Sequence, residues 1–141
     1  MHYSFMKAFF FNIVFLSCLI GATAQNKADD IIGYYLTVDP FTDAVSQVQI
    51  YKTANGSYEG LVSWAKDADC KKYEGLVFLK NLSFNVKENE WEKGVISYPG
   101  RSGTYSAYLK FDANGQLKVR GYWGVSLLGK TVYWTRENVK R

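Results

Sequence analysis

Carboxylate and aromatic side chains are the groups whose types and spacing invite a chemical reading in this chain of 141 residues. Glu88, Glu90 and Glu92 lie two apart, Asp67 and Asp69 likewise, and Asp29 precedes Asp30. Glycoside hydrolysis needs two carboxyls at a set separation in a cleft, one of them with a raised pKa. Residues two apart share a strand face or sit in a turn, and solvated charge is their ordinary state. Asp67 and Asp69 lack the rest of a calcium-binding loop. The single histidine is His2. A leader sequence contains it, so a histidine triad or zinc site has no imidazole to use. Cys70 has Lys71 and Lys72 beside it but no base, and reads as a small residue in a polar loop. Neither a Gly-x-Ser-x-Gly elbow nor a phosphate-cradling loop occurs. No catalytic residue, metal ligand or cofactor is therefore expected, and the reading is non-enzymatic. What remains is aromatic. Arg120 to Arg136 reads RGYWGVSLLGKTVYWTR, four rings and three glycines between two arginines.

The elements that must position those rings begin after residue 24. Residues 1–24 carry Lys7, an apolar run from Ala8 to Ile20, and Ala22-Thr23-Ala24 before Gln25. That is the pattern of a secretory signal peptide. The run is shorter than the ~20 apolar residues of a membrane span. A lipid-anchored Cys18 is the competing reading, but Phe15-Leu16-Ser17 fits it less well than the small-x-small site. The expectation is a secreted or periplasmic protein, cleaved near Ala24, with one domain over residues 25–141. Only Lys7 among the charged residues is lost, so the net charge falls by one from +4. That bias is too weak for a polyanion-binding domain, and no nucleic-acid partner is expected. Cys70 alone remains, so the fold must be held by its core without an internal disulfide.

Tyr, Phe, Trp, Val and Thr abound, and alternating segments recur between turn residues, which argues for an all-β barrel or sandwich. Strand starts fall near Ile31, Val45, Tyr58, Gly75, Trp91, Thr104, Leu117 and Thr131. Lys66 to Glu74 is a short helix or an irregular loop. Ala54-Asn55-Gly56 and Ala113-Asn114-Gly115 are turn signals, since Asn and Gly tolerate positive φ. As three-residue loops they oppose Lys52 with Tyr58, Ile50 with Gly60, Val48 with Val62 and Ser46 with Trp64. They likewise oppose Phe111 with Leu117, Leu109 with Val119, Ala107 with Gly121 and Tyr105 with Trp123. Opposed residues share a face. A four-residue loop over Ser126 to Gly129 would bring Trp123 opposite Val132, Gly121 opposite Trp134 and Val119 opposite Arg136. Arg136 then lands on the inner face and requires carbonyls, a carboxylate or a ring to cover it.

A glycine and aromatic pair on the first strand, Gly33-Tyr34-Tyr35, and an arginine on the last, Arg136, resemble the Gly-x-Trp and arginine closure of calycins. Tyr35 stands where those proteins have tryptophan. IIGYYLT, VQIYKTANGSYEGLVSW, YPGRSGTYSAYLKF and LKVRGYWGVSLLGKTVYWTR also resemble the DUF2147 family of small secreted bacterial proteins, over Ile31 to Arg136. The family's Asp-x-Asn-Pro-Asp-like loop is replaced here by KDADCKKYEG. The resemblance implies a lipocalin-like barrel, closed or nearly closed with eight antiparallel strands, with Gly33, Tyr35 and Arg136 as structural closure, and no established activity. In the residues' own terms, Ala107 opposite Gly121 leaves room inside. Trp64, Tyr105, Trp123 and Trp134 would line it with Tyr35 and bind a small apolar or amphipathic ligand. A filled barrel, acting in the envelope through an outer stripe of Lys118, Arg120, Tyr122 and Tyr133, is the alternative. An oligonucleotide-binding barrel using the same stripe is a third.

Overall fold

The computed structural model describes residues 24–125 and 127–141. The expected leader, apart from Ala24, lies outside the described residues, and so does Cys18. Among the described residues the strands are β1 Gly33–Val38, β2 Val45–Lys52, β3 Tyr58–Ala65, β4 Val77–Asn85, β5 Glu90–Ile96, β6 Tyr105–Phe111, β7 Leu117–Tyr122 and β8 Gly129–Glu137. Each pairs antiparallel with the next, and β8 returns to β1, with Tyr35 opposite Arg136. The eight strands form a closed barrel, which leaves no sheet edge to pair with another chain.

Alternation explains the strands. In β7 Leu117, Val119 and Gly121 are buried while Lys118, Arg120 and Tyr122 are only half-buried. The two Ala-Asn-Gly turns are built alike. The Gly56 amide donates to the Thr53 carbonyl at 3.1 Å, and Gly115 to Asp112 at 3.1 Å, both glycines having positive φ. The hairpins they set match expectation from Lys52↔Tyr58 to Val48↔Val62 and from Phe111↔Leu117 to Ala107↔Gly121.

Two registers differ from expectation. A bulge at Gln47/Val48 places Trp64 opposite Gln47, and Ala65, not Trp64, opposite Ser46. Its extra residue, Ser63, donates to the Gln47 carbonyl at 3.1 Å and to the Gln47 side-chain oxygen at 2.9 Å. Such a bulge reverses which residues face inward. The last hairpin is longer than four residues: β7 ends at Tyr122, opposite Gly129, and Val119 pairs with Val132. The slip is even, so Val132 and Trp134 keep the inner face while Trp123 is left beyond the strand.

One end of the barrel is sealed. A 3-10 helix, Ala28–Ile31, crosses it and drives Ile31 into the core. Ile31, Tyr35, Ile50, Leu79, Leu82, Trp91, Leu109 and Leu117 are wholly buried at 0 % exposure, most of them toward this end. Each of the aliphatic side chains contributes about 1.5–3 kcal/mol by leaving water. The Trp91 indole N–H donates to the Ala28 carbonyl at 2.9 Å, the Tyr35 hydroxyl to Ile31 at 2.7 Å, and the Tyr58 hydroxyl to the Asp29 carboxylate. The other end carries the longer connections: residues 39–44, the stretch after β3 with its 3-10 helix Ala68–Tyr73, residues 97–104, and the β7–β8 loop.

Candidate functional site

A cavity of about 450 Å³ occupies the open half of the barrel. Its inner wall is Val62, Phe78, Ile96, Val119, Val132 and Trp134, contributed by β3, β4, β5, β7 and β8. Its rim is polar: Asp39, Thr42, Asp67, Asp69, Cys70, Lys72 and Tyr73 border the mouth. An apolar well beneath a charged rim is a shape that takes up small molecules without covalent chemistry. A second depression, about 770 Å³, lies at the sealed end among Asn26, Asp30, Asn89, Lys110 and Arg136. Phe111 is the one ring bordering it, and charged groups surround it.

Trp134 divides the two halves. It is 3 % exposed, borders the cavity, and lies 6.2 Å from the ring of Tyr35 and 6.2 Å from that of Phe78. Tyr105 sits at the mouth instead of in the wall. Its ring is 5.3 Å from Tyr98 and 6.0 Å from Phe41, and its hydroxyl accepts from Arg101 Nε at 3.1 Å. Trp64 is on the outer face, turned there by the bulge at Ser63. Lys71 Nζ lies 5.3 Å from its ring centre and the Arg141 guanidinium 5.0 Å. Trp123, beyond β7, is 73 % exposed. The expected group of Trp64, Tyr105, Trp123 and Trp134 therefore does not assemble around one cavity; Trp134 alone borders it.

The room expected at Ala107 and Gly121 is occupied. A Cβ at position 121 would collide with the Tyr98 hydroxyl, so the absent side chain of Gly121 admits that ring. Tyr98 packs edge-on against Phe41 at 5.1 Å. Phe41 has two cations against it, with the Arg101 guanidinium 3.7 Å and Lys130 Nζ 4.7 Å from its centre. These rings cover one side of the mouth. Burial, with Asp39 and Tyr105 adding to it, pushes the Tyr98 hydroxyl up to about 12, so it is neutral at ordinary pH. Tyr98 and Phe41 were not singled out by sequence reasoning. The available signals were Pro40 before Phe41 and Pro99-Gly100 after Tyr98, which mark loops that fold back.

At the sealed end Gly33, Tyr35 and Arg136 meet. Arg136 donates to the Ile32 carbonyl at 3.0 Å, to the Tyr35 hydroxyl at 2.8 Å and to the Asp30 carbonyl. Its guanidinium lies 5.0 Å from the centre of the Tyr35 ring and 5.6 Å from that of Phe111. It is an exposed residue on the rim of the end, not a buried one. A Cβ on Gly33 would stand 2.6 Å from Arg136 Nη1, so only glycine leaves the arginine this seat. Burial pushes the Tyr35 hydroxyl well up, against the opposing pull of Arg136.

Asp67 and Asp69 reach only the rim of the cavity, and the glutamates stay apart from it. Glu88 lies in the β4–β5 turn, and Glu90 and Glu92 follow in β5, half-buried. Burial raises the Glu90 carboxyl, Lys110 opposing and Glu92 and Glu88 assisting. The outer stripe holds Lys118 opposite Tyr133 and Arg120 opposite Thr131, with Arg120 Nη1 donating to Thr131 Oγ1 at 3.0 Å.

With the geometry in place, comparisons with known proteins give the lineage. A model of the family DUF2147, described as uncharacterised protein conserved in bacteria, matches residues 33–136. A solved protein from the human pathogen Helicobacter pylori, described as belonging to the lipocalin family, superposes with a TM-score of 0.65 at 22 % identity. The match covers 77 % of this chain and 84 % of that one, and at this identity it speaks for the fold. No curated protein matches.

Proposed function

Since the chain belongs to the DUF2147 family and has the lipocalin-like barrel, we propose that it binds one small apolar or amphipathic molecule non-covalently in the open half of that barrel. The supporting observation is the well of about 450 Å³ walled by Val62, Phe78, Ile96, Val119, Val132 and Trp134. Apolar walls favour an apolar body. The rim of Asp39, Asp67, Asp69 and Lys72 leaves a polar end of the ligand in water. The reading assigns no catalytic step. Export after cleavage near Ala24 belongs to the same proposal, and a mature mass starting at Gln25 tests it. The filled-barrel alternative draws on the sealed half, where side chains do occupy the interior; the open half favours a ligand.

Nile red emission tests the cavity. The wild-type protein is expected to enhance it saturably. Val119→Trp, which fills the well, should weaken binding roughly tenfold or more, with Val132→Phe as a milder second filling. Trp123→Ala should bind as the wild type does. No enhancement by wild type, or equal binding by the filled variants while they unfold at the wild-type temperature, overturns the proposal.

A further inference from the structure

The β7–β8 loop exposes four large apolar side chains: Trp123 is 73 %, Val125 58 %, Leu127 90 % and Leu128 63 % exposed. Scattered exposed apolar residues are ordinary, whereas a contiguous group marks a contact surface. The loop is braced. The Trp123 amide donates to the Leu128 carbonyl at 2.9 Å, the Leu128 amide donates to Val125 at 2.9 Å, and Gly124 takes the left-handed φ of +76°. Backbone bonding therefore holds the turn while its side chains face water.

Charge favours one class of partner. At the loop's own side of the open end the charges are cations, Lys130 at its base and Arg101 beside Phe41, while Asp39, Asp67, Asp69 and Lys72 border the mouth. Lys130 donates from Nζ to the Pro40 carbonyl at 3.4 Å, and Arg101 shares the Phe41 ring with it. Four side chains on one narrow loop fall short of the roughly 800 Å² that each partner buries in a stable protein interface. A bilayer needs no complementary surface. Leucines enter the acyl boundary, an indole settles at headgroup level, and lysine or arginine pairs with anionic headgroups.

We propose that the β7–β8 loop docks the open end of the barrel on an anionic lipid surface, with Leu127 and Leu128 inserted, Trp123 at the headgroups and Lys130 beside them. The cavity mouth then faces the membrane. This docking does not depend on the cavity holding a ligand.

Co-sedimentation of the unliganded protein with vesicles of phosphatidylcholine and phosphatidylglycerol tests it. Binding is expected, weakened by added salt and markedly lower on phosphatidylcholine alone. Leu127→Ser with Leu128→Ser should lower partitioning roughly tenfold or more while leaving the unfolding temperature unchanged, both side chains being already in water. Tryptophan emission should shift to the blue on binding in wild type and not in Trp123→Phe. Absence of binding, equal binding to neutral vesicles, or unaltered binding by the double variant overturns the proposal. So does a dimer in solution that the double variant abolishes, since a second copy would then cover the loop.

Discussion

Replacing Trp134 by alanine tests the division of the barrel most directly. The ring is 3 % exposed and lies between the cavity and the sealed core, beside Tyr35 and Phe78. Truncating a packed tryptophan to alanine costs about 3–5 kcal/mol. One side of this ring already borders an open space of about 450 Å³, so it has fewer packed neighbours to lose. The expected loss is therefore at the low end, about 3 kcal/mol, or roughly 12 °C in the unfolding midpoint. Urea unfolding should show a lower midpoint at unchanged m value. Indole, which fits the vacated volume, should restore about 1.4 kcal/mol at ten times its dissociation constant. Trp123→Ala, at 73 % exposure, should change stability by less than about 0.5 kcal/mol. A loss below about 1 kcal/mol at Trp134, or no response to indole, would refute its role as the floor.

Two further outcomes follow from packing and titration. Gly94→Ala should cost about 1–3 kcal/mol in urea unfolding, because its Cβ would stand 2.7 Å from Leu82 Cδ2 and 3.0 Å from the Ala107 carbonyl; an unaffected midpoint would show that β5 and β6 can part. Burial comes first among the causes that push the Tyr51, Tyr58 and Tyr98 hydroxyls up from 10.0 to about 12. The native state thus holds protons that the unfolded chain releases, and this stability is whole below pH 10 and lost as pH rises toward 12. The urea midpoint should fall across that window, less so in Tyr98→Phe, and a flat profile would contradict it.

Much of the architecture was legible because its signals are local. Ala113-Asn114-Gly115 set the pairing of β6 with β7, and the alternation of Leu117 to Arg120 set the face. The sealed end was legible through Gly33, Tyr35 and Arg136. The helix beneath it was not, because Ala28–Ile31 is too short for a period and is held by Trp91 and Tyr58 from distant strands as well as by Tyr35 of β1. Trp64 was misplaced because one extra residue, Ser63, inverts the face, and Ser63 is recognisable only through its bonds to Gln47. Trp123 was misplaced because nothing in Gly124 to Gly129 announces where the strand ends. The space opposite Ala107 looked empty because a loop residue, Tyr98, fills it, and strand pairing does not reveal what loops fold inward.

The Arg136 seat has a consequence for folding order. Its acceptors, the carbonyls of Asp30 and Ile32, belong to the turn that precedes β1, and the arginine arrives on the last strand. The last strand and the segment leading into the first are thus joined at a sequence separation of 104 and 106 residues. Contacts so distant are slow to form. A nascent chain lacking β8 has neither its closing ladder nor its latch. Synthesis must therefore be essentially finished before this cylinder can stand on its own.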